Sequence, residues 1–395
     1  MLCLGARIME FDLDYLQAQS AAGVLLVNLA KYYGGTEVRI LDTAKSLHGR
    51  YPYDVAVLNG SPLHERLSQN NLNVIPLFCH RADPRMLWFL WRLLRKKKYG
   101  VVDAHNSQSH LWGLVAAKLA NIPVRVATVH SSYRYTETTL KAWLYELVLS
   151  LVSSLGVRFV VVSQAVFDYL VSLRIPQKCI TLIPNAIALP TEEELCPCPG
   201  LINSLGWPQS SYMLITVGRL EPVKGLSVLI ESLAQVVMSE PRVRLLIVGE
   251  GRSQIQLQQQ VIELGLQKHV VFAGFRKDIK NLLVTADLFC MPSLSEGLPY
   301  ALLEACTCKV PVLATSVGGM ADFLEDQVSA LLVPANDSAS LAQNILMLMH
   351  DSEFSLRLAE AAYQKVAVEM SLPSMIDQTL MIYNERNETI PDRSS

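Results

Sequence analysis

Short apolar runs alternate with segments of helical spacing along almost the whole chain, and the alternation breaks only once, at residues 189–211. A strand buried on both faces reads as four to eight consecutive apolar residues, and the amphipathic helix that follows covers the sheet it has just left. Strands joined through helices run parallel, with right-handed crossovers. The first half places strands at 23–30, 54–58, 74–76, 101–104, 124–129 and 159–162, with helices at 36–47, 84–98, 109–120 and 140–151. The break contains Pro190, the acidic run 192–194, a Cys-Pro-Cys-Pro-Gly string and Pro208, which is linker composition. The rhythm restarts with strands at 212–217, 243–248, 270–272, 288–291, 311–314 and 330–333 and helices at 225–237, 253–264, 278–285 and 299–306. The expected fold is α/β, with two Rossmann-like domains whose parallel sheets face a central cleft. Their expected spans are a tail over 1–20, a first domain over 21–190, a linker over 191–211, a second domain over 212–370 and a tail over 389–395.

With 51% hydrophobic and 18% charged residues, a chain of 395 residues can fill two cores. Its 34 basic and 36 acidic residues nearly cancel, so no nucleic-acid partner is expected and any cationic site is local. Eight cysteines are scattered, and the close pairs Cys196/Cys198 and Cys306/Cys308 lack zinc spacing and nearby histidines. No metal is expected, and the thiols read as reduced, in keeping with a cytoplasmic location. No apolar run approaches the length of a membrane-spanning helix. The first 20 residues carry Glu10, Asp12 and Asp14 against Arg7 alone, unlike a secretory leader.

Ligands of open parallel sheets sit beyond the carboxyl ends of the strands, and the conspicuous residues fall there. Gly34 and Gly35 follow the first strand, with Thr36 as the expected N-cap; they let backbone approach a ligand, although an ordinary turn has the same appearance. Gly218 and Arg219 end the strand at 212–217, and Lys224 with Gly225 opens the next helix. Both cations thereby stand over a helix N-terminus, where free N–H groups already favour phosphate. Gly249-Glu250-Gly251 is a second close-approach turn, weak by itself. The strand at 288–291 runs through Ser293 into Glu296-Gly297-Leu298-Pro299, with the proline near the first helical position. Glu304 lies eight residues beyond Glu296. Two carboxylates suit sugar hydroxyls because each accepts hydrogen bonds on two oxygens; a helix-surface role among Leu302, Leu303 and Ala305 is the alternative for Glu304.

The strings VGRLEPVKGLSVLIESL, LIVGEGR, FAGF and MPSLSEGLPYALLEACTCKVPVLATSVGGMADFLED together resemble the retaining GT-B glycosyltransferases of family 4. The resemblance implies a nucleotide-diphosphate sugar, UDP- or GDP-linked, as donor and a hydroxyl acceptor in glycan, glycolipid or polysaccharide synthesis. It implies no required cofactor and no metal. By position, Arg219 and Lys224 match the diphosphate-binding pair, Glu296 lies near the donor sugar and Glu304 near the ribose. Gly34 and Gly35 match a loop that approaches the phosphate, and His130 matches a histidine facing the donor sugar. Arg219, Lys224, Glu296 and His130 form the implied catalytic group; Gly218, Gly251, Phe275, Gly297, Leu298 and Pro299 complete the donor-binding set, with Ser163 and Asn185 as softer matches. A helix over 371–388 is expected to cross back to the first domain. The chain departs from the family at Pro184-Asn185-Ala186-Ile187-Ala188, at Cys308-Lys309-Val310, in the glycine-free loop 326–330 and at Asp322, where Glu is common. A nucleotide-sugar epimerase of the same fold and a catalytically inert GT-B partner subunit are the competing readings.

The acceptor side is less legible. The stretch RMLWFLWRLLRKKK over 85–98 holds Trp88 and Trp91 among Arg92, Arg95 and three lysines, a composition suited to peripheral contact with an anionic membrane at its cytoplasmic face. A core-packed helix with cations at its C-terminal end explains the same residues. His105, just after the strand at 101–104, is a second acceptor-side candidate, with structural hydrogen bonding as its alternative.

Overall fold

The computed structural model of the protein describes residues 23–132 and 139–385, so the tails expected over 1–20 and 389–395 lie outside the described residues. The first seven strands are β1 (Gly23–Asn28), β2 (Tyr53–Leu58), β3 (Val74–Leu77), β4 (Tyr99–Ala104), β5 (Val124–Val129), β6 (Arg158–Val161) and β7 (Ile180–Leu182). They form one parallel sheet in the order β3-β2-β1-β4-β5-β6-β7. The remaining six are β8 (Tyr212–Val217), β9 (Val243–Val248), β10 (Val270–Gly274), β11 (Leu288–Met291), β12 (Val312–Thr315) and β13 (Leu331–Val333), ordered β10-β9-β8-β11-β12-β13. In each sheet the chain starts in the middle, winds outward to one edge, then returns and winds to the other. Helices therefore cover both faces, and the reversal leaves a crevice at the carboxyl ends of the central strands.

Helices α1 (Gly35–Leu47) and α2 (Pro62–Gln69) cover one face of the first sheet. The other face carries α3 (Arg85–Lys96), α4 (Ser107–Leu119), α5 (Thr139–Ser153) and α6 (Gln164–Ser172). Two of these have no counterpart in the periodicity reading. α2 is eight residues long and buries only Leu63 and Leu67, too little to register as a pattern, although Ser61 caps it and Pro62 opens it. α6 is nine residues long and starts from the Ser163 cap. Thr36 is not the cap of α1: Gly34 holds that position in extended conformation, and no side chain caps the helix.

The expected linker is largely structured and belongs to the second domain. A short helix, α7 (Leu201–Ser204), buries Leu201, and Trp207 is packed into the core of the second sheet. Thr285 accepts a hydrogen bond at its hydroxyl from the Cys198 N–H, and Asn281 donates to the Cys196 carbonyl. Proline and cysteine spacing hid this packing, because a four-residue helix has no period to detect.

The second sheet is covered by α8 (Leu226–Ser239), α9 (Gln254–Glu263), α10 (Ile279–Thr285), α11 (Tyr300–Thr307), α12 (Gly318–Phe323), α13 (Ser338–His350) and α14 (Ser352–Glu369). Two departures from the family pattern sit where the backbone is left-handed: Lys309, just past α11, has φ 54°, and Gln327 has φ 61°. Such a conformation costs a non-glycine residue about 1–2 kcal/mol. Lys309 gains contacts in return, an ion pair with Glu360 at 2.8 Å and a place over the Tyr363 ring.

The last described helix, α15 (Leu372–Asn384), leaves the second domain and packs on the first. Its Met375, Ile376, Ile382 and Tyr383 join Val24, Leu26, Ile40 and Val55 in one core cluster. The crossing is pinned where the Ile187 N–H donates to the Met370 carbonyl at 3.0 Å. Removing the Ile382 side chain beyond Cβ from this packing should cost about 2–5 kcal/mol. Ile382→Ala is therefore expected to lower stability in denaturant titration by that amount, with hydrogen exchange accelerating in β1 and β2 of the first sheet and not in β8 and β9.

Candidate active site

Both sheets present their carboxyl edges to the same cleft, and the cleft is narrow. A Cβ built on Gly297 would collide with the His130 carbonyl oxygen, and one on Gly35 would lie 3.2 Å from the Tyr300 ring. Asn185 donates to the Leu298 carbonyl at 2.6 Å, and Asp322 accepts from the Ala165 N–H at 3.1 Å, near the start of α6. Asp322, a departure from the usual Glu, thus serves one domain as a helix-terminal acceptor from the other.

On the second domain's wall, the turn before α8 fixes Lys224. Residues Pro222–Lys224 form a single 3-10 turn, and Gly225 caps α8 with φ 63°. A side chain at Gly225 is excluded twice, by that left-handed conformation and by the Pro292 carbonyl in its path. The Leu294 N–H donates to the Val223 carbonyl at 2.7 Å, tying this turn to the loop after β11. Lys224 Nζ then meets Glu296 Oε1 at 2.5 Å, and Ser293 Oγ donates to the same oxygen at 2.7 Å. Gly218 lies beside the Lys224 stem, and Arg219 stands exposed at the cleft mouth. Gly251 serves the fold: it packs against the Leu220 backbone, where a Cβ would collide with the Leu220 carbonyl.

On the first domain's wall, Asn28 at the end of β1 donates to Glu37 at 2.8 Å and accepts from Asn106 at 2.9 Å. Burial pushes the Glu37 carboxyl up; hydrogen bonds from Asn28 and the backbone at Glu37 and Gly34, with Arg219 across the cleft, oppose that. Of the two cations expected at the phosphate, Lys224 is paired with Glu296, and Arg219 is exposed within electrostatic reach of Glu37. Behind Glu37, the wholly buried Arg39 uses Nη1 to bond the Ile183 and Pro184 carbonyls and Asn185 Oδ1 at 3.1–3.2 Å. Burial lowers its pKa, with Tyr300, Asp103 and Tyr383 opposing.

His105 and His130 are brought together at the ends of β4 and β5, with Nδ1 of the first 3.2 Å from Nε2 of the second. His105 Nε2 is 3.4 Å from Asp103 Oδ2, and that oxygen also accepts from the Tyr383 hydroxyl at 2.6 Å. Thr128 donates to Oδ1 of the same carboxylate at 2.8 Å. Burial acts to raise the Asp103 pKa, but the His105 charge and these hydrogen bonds hold it below the usual value. His130 is pushed well below an ordinary histidine by burial, then by His105, Arg39 and His110, so its ring is neutral at neutral pH. Its Nδ1 is buried without a partner.

Glu304 lies apart from Glu296. It is half-buried opposite Asp42 of α1, with Lys280 within electrostatic reach of both. Burial pushes Glu304 up to about 7 and Asp42 up to about 6. Phe275 reaches across the cleft toward Arg66, whose guanidinium stacks on Tyr33 at 3.9 Å. On the outer face, Met86, Leu90 and Leu94 bury one stripe of α3, and Arg92 lies over Trp88 at 5.2 Å while Arg95 is exposed. Trp91 packs in part against the first core, so it is a packing residue and not the surface aromatic expected beside Trp88.

Glu37, Arg39, Asp103, Tyr300 and Tyr383 escaped the sequence reading. One signal was available for Arg39: it adjoins Ile40 and Leu41, and a charge on the apolar stripe of a helix needs a buried partner. Tyr383 lies 280 residues from Asp103, a pairing no local pattern can announce. Among the described residues no group of three or more His, Cys, Asp or Glu could hold a metal ion.

Residues 201–365 match the family described as glycosyl transferases group 1, and residues 33–189 match glycosyltransferase family 4. The chain is 25% identical over 325 residues to the UDP-Gal:alpha-D-GlcNAc-diphosphoundecaprenol alpha-1,3-galactosyltransferase of Escherichia coli, covering 78% of this chain and 82% of that one. It is 32% identical over 192 residues to the D-inositol 3-phosphate glycosyltransferase of Salinispora arenicola, covering 46% of this chain and 43% of the relative. The structure of Anabaena HepE in complex with UDP-glucose superposes with a TM-score of 0.80 at 22% identity, covering 91% of this chain and 99% of that one.

The raised carboxyls give the protein a pH signature. An acid whose folded pKa exceeds its unfolded value binds a proton in the native state that the unfolded chain has lost, so stability falls as pH rises through that window. For Glu304 the window runs from its ordinary 4.5 to about 7, and for Asp42 from 3.8 to about 6. Glu304→Gln is expected to flatten the decline in melting temperature between pH 6 and 7, about where Asp42 no longer contributes; an unchanged profile would mean the carboxyl is not desolvated.

Proposed function

The chain belongs to the family 4 glycosyltransferases of the GT-B fold, and from that premise we propose that it moves a hexose from a UDP- or GDP-sugar to a hydroxyl of a lipid-linked glycan, with retention of anomeric configuration. It is an enzyme that uses nucleotide sugars. The observation that supports the finer reading is Lys224 held against Glu296 at the cleft, with Arg219 exposed within electrostatic reach of Glu37. As the bond from the sugar C1 to the phosphate oxygen breaks, negative charge grows on the diphosphate. A cation already fixed in place, as Lys224 is, stabilises that charge without reorganising.

Retention follows when the acceptor hydroxyl attacks C1 from the face the diphosphate leaves. The hydroxyl proton passes to the departing phosphate oxygen, so no separate protein base is needed. Neutral His130 then offers a hydrogen bond to the donor sugar without adding positive charge beside a ring that is itself becoming positive. Glu304 is assigned to the ribose hydroxyls. This reading requires no metal, because Arg219 and Lys224 supply the compensating charge. The E. coli relative's name, which joins a UDP-sugar donor to a diphosphoundecaprenol acceptor, supports a lipid-linked acceptor.

Lys224→Ala is expected to lower kcat by about 100- to 1000-fold, the cost of removing one donor aimed at developing charge. Proton NMR of the first product should show the donor's anomeric configuration. Turnover near that of the unmodified enzyme, or an inverted product, would overturn the assignment.

Peripheral membrane contact belongs to the same reading. Among the described residues no helix is long and apolar enough to cross a bilayer. Trp88 and Phe89 are nevertheless 49% and 45% exposed on α3, beside Arg92, Arg95 and Lys96. α5 exposes Leu140, Trp143, Leu144 and Leu147 on the same side of the sheet. In flotation with phosphatidylglycerol-containing vesicles the protein is expected to rise with the lipid, and Trp88→Ala/Phe89→Ala to remain largely at the bottom; sedimentation of the unmodified protein would remove membrane contact from the proposal.

A further inference from the structure

A cavity of about 360 Å³ opens at the carboxyl ends of β1, β2 and β3, outside the donor cleft. Its floor is apolar, with Leu58 and Leu77 buried; the cations Lys31 and Arg81 line it beside His80, Asn59 and Ser61, and no carboxylate does. Neither the Lys31 ammonium nor the Arg81 guanidinium is paired among the described residues, and Asp83 in the same loop is bound instead to Arg85 at 2.7 Å. The loop is nonetheless held in place, because Trp112 Nε1 donates to the Arg81 carbonyl at 2.9 Å. His80 Nδ1 accepts from the Ala82 N–H, which leaves Nε2 to carry the ring proton and act as a donor. The two unpaired cations repel one another, and an anion between them relieves that repulsion.

The position specifies which part of a ligand would sit there. Adjacent strands lie about 4.8 Å apart, so the ends of β1, β2 and β3 stand two to four spacings, about 10–19 Å, from the end of β5 and His130. That is the reach of a short run of sugar rings. Lys31 belongs to the loop that continues into Gly34 and Gly35, and the other rim carries Phe78, 80% exposed, in the loop that leads into α3.

We propose that this cavity binds a phosphate or diphosphate group on the acceptor, holding the acceptor so that a hydroxyl a few sugar rings away reaches the donor cleft. The inference rests on the transferase reading and adds to it the charge and spacing of the acceptor. A soluble sugar phosphate and a bilayer lipid bearing a sugar diphosphate share this chemistry, and the surface aromatics of α3 bear only on the second.

The test uses the full chain and the double variant Lys31→Ala/Arg81→Ala, whose side chains are outside both cores. Binding of inorganic pyrophosphate is measured by calorimetry with UDP or GDP saturating the donor site, alongside nucleotide binding itself. The unmodified protein is expected to bind pyrophosphate under these conditions, and the double variant at least ten-fold more weakly with nucleotide affinity unchanged. Equal pyrophosphate binding by the two proteins, or none by the unmodified protein, would overturn the proposal. Failure of every nucleotide among UDP, GDP and ADP to bind would instead count against the transferase reading. Two further arms separate the sources: glucose 1-phosphate in solution, and phosphatidylcholine vesicles carrying farnesyl diphosphate. Loss of either ligand's binding in the double variant supports the site, and the ligand that shows the loss identifies the source.

Discussion

The structure depends on two domains meeting with almost no room between their backbones. Gly297 faces the His130 carbonyl, Gly319 faces both the Gly297 carbonyl and Ser163, and no side chain fits at either place. This contact puts the end of β5 against the loop after β11, and everything in the cleft takes its position from it. Arg219 can influence Glu37, and Asp42 can influence Glu304, only because strand ends from different sheets are held this close.

Closeness also sets the electrostatics. The carboxyls Glu296, Glu37, Asp42 and Glu304 of the cleft separate into two kinds. Glu296 is tied to Lys224 and Ser293, in a polar nest that neutralises it directly. Glu37, Asp42 and Glu304 are instead held up by burial, with cations only partly compensating. A ligand that brings phosphate to one end and hydroxyls to the other meets complementary partners at both.

Most of the architecture was legible in the sequence because parallel strands buried on both faces write themselves as apolar runs. The strand-end positions of Arg219, Lys224 and Glu296 were legible because they follow such runs, whereas Glu304 was singled out by the family resemblance. What escaped has two physical causes. Elements of eight or nine residues, such as α2 and α6, bury too few side chains to show a period. Residues whose role comes from distant partners carry no local mark: Asp103 reads as one polar residue ending a strand until Tyr383, Thr128 and His105 converge on it. The linker was misjudged for the opposite reason, since its prolines advertise a break while Leu201 and Trp207 are buried on the second core.

The return of α15 to the first sheet also has a consequence for how the protein is made. Ile382 and Tyr383 belong to the same buried cluster as Val24 and Leu26, so the first domain's core is built from the two ends of the described chain. During synthesis the first sheet emerges early but lacks that part of its interior until the ribosome has added the last turns of α15. The second domain, whose core draws on residues between Leu201 and Met370, can be complete sooner. The order of maturation is thereby the reverse of the order of translation, and the Asp103 carboxylate beneath the two histidines receives its Tyr383 partner as one of the final contacts to form.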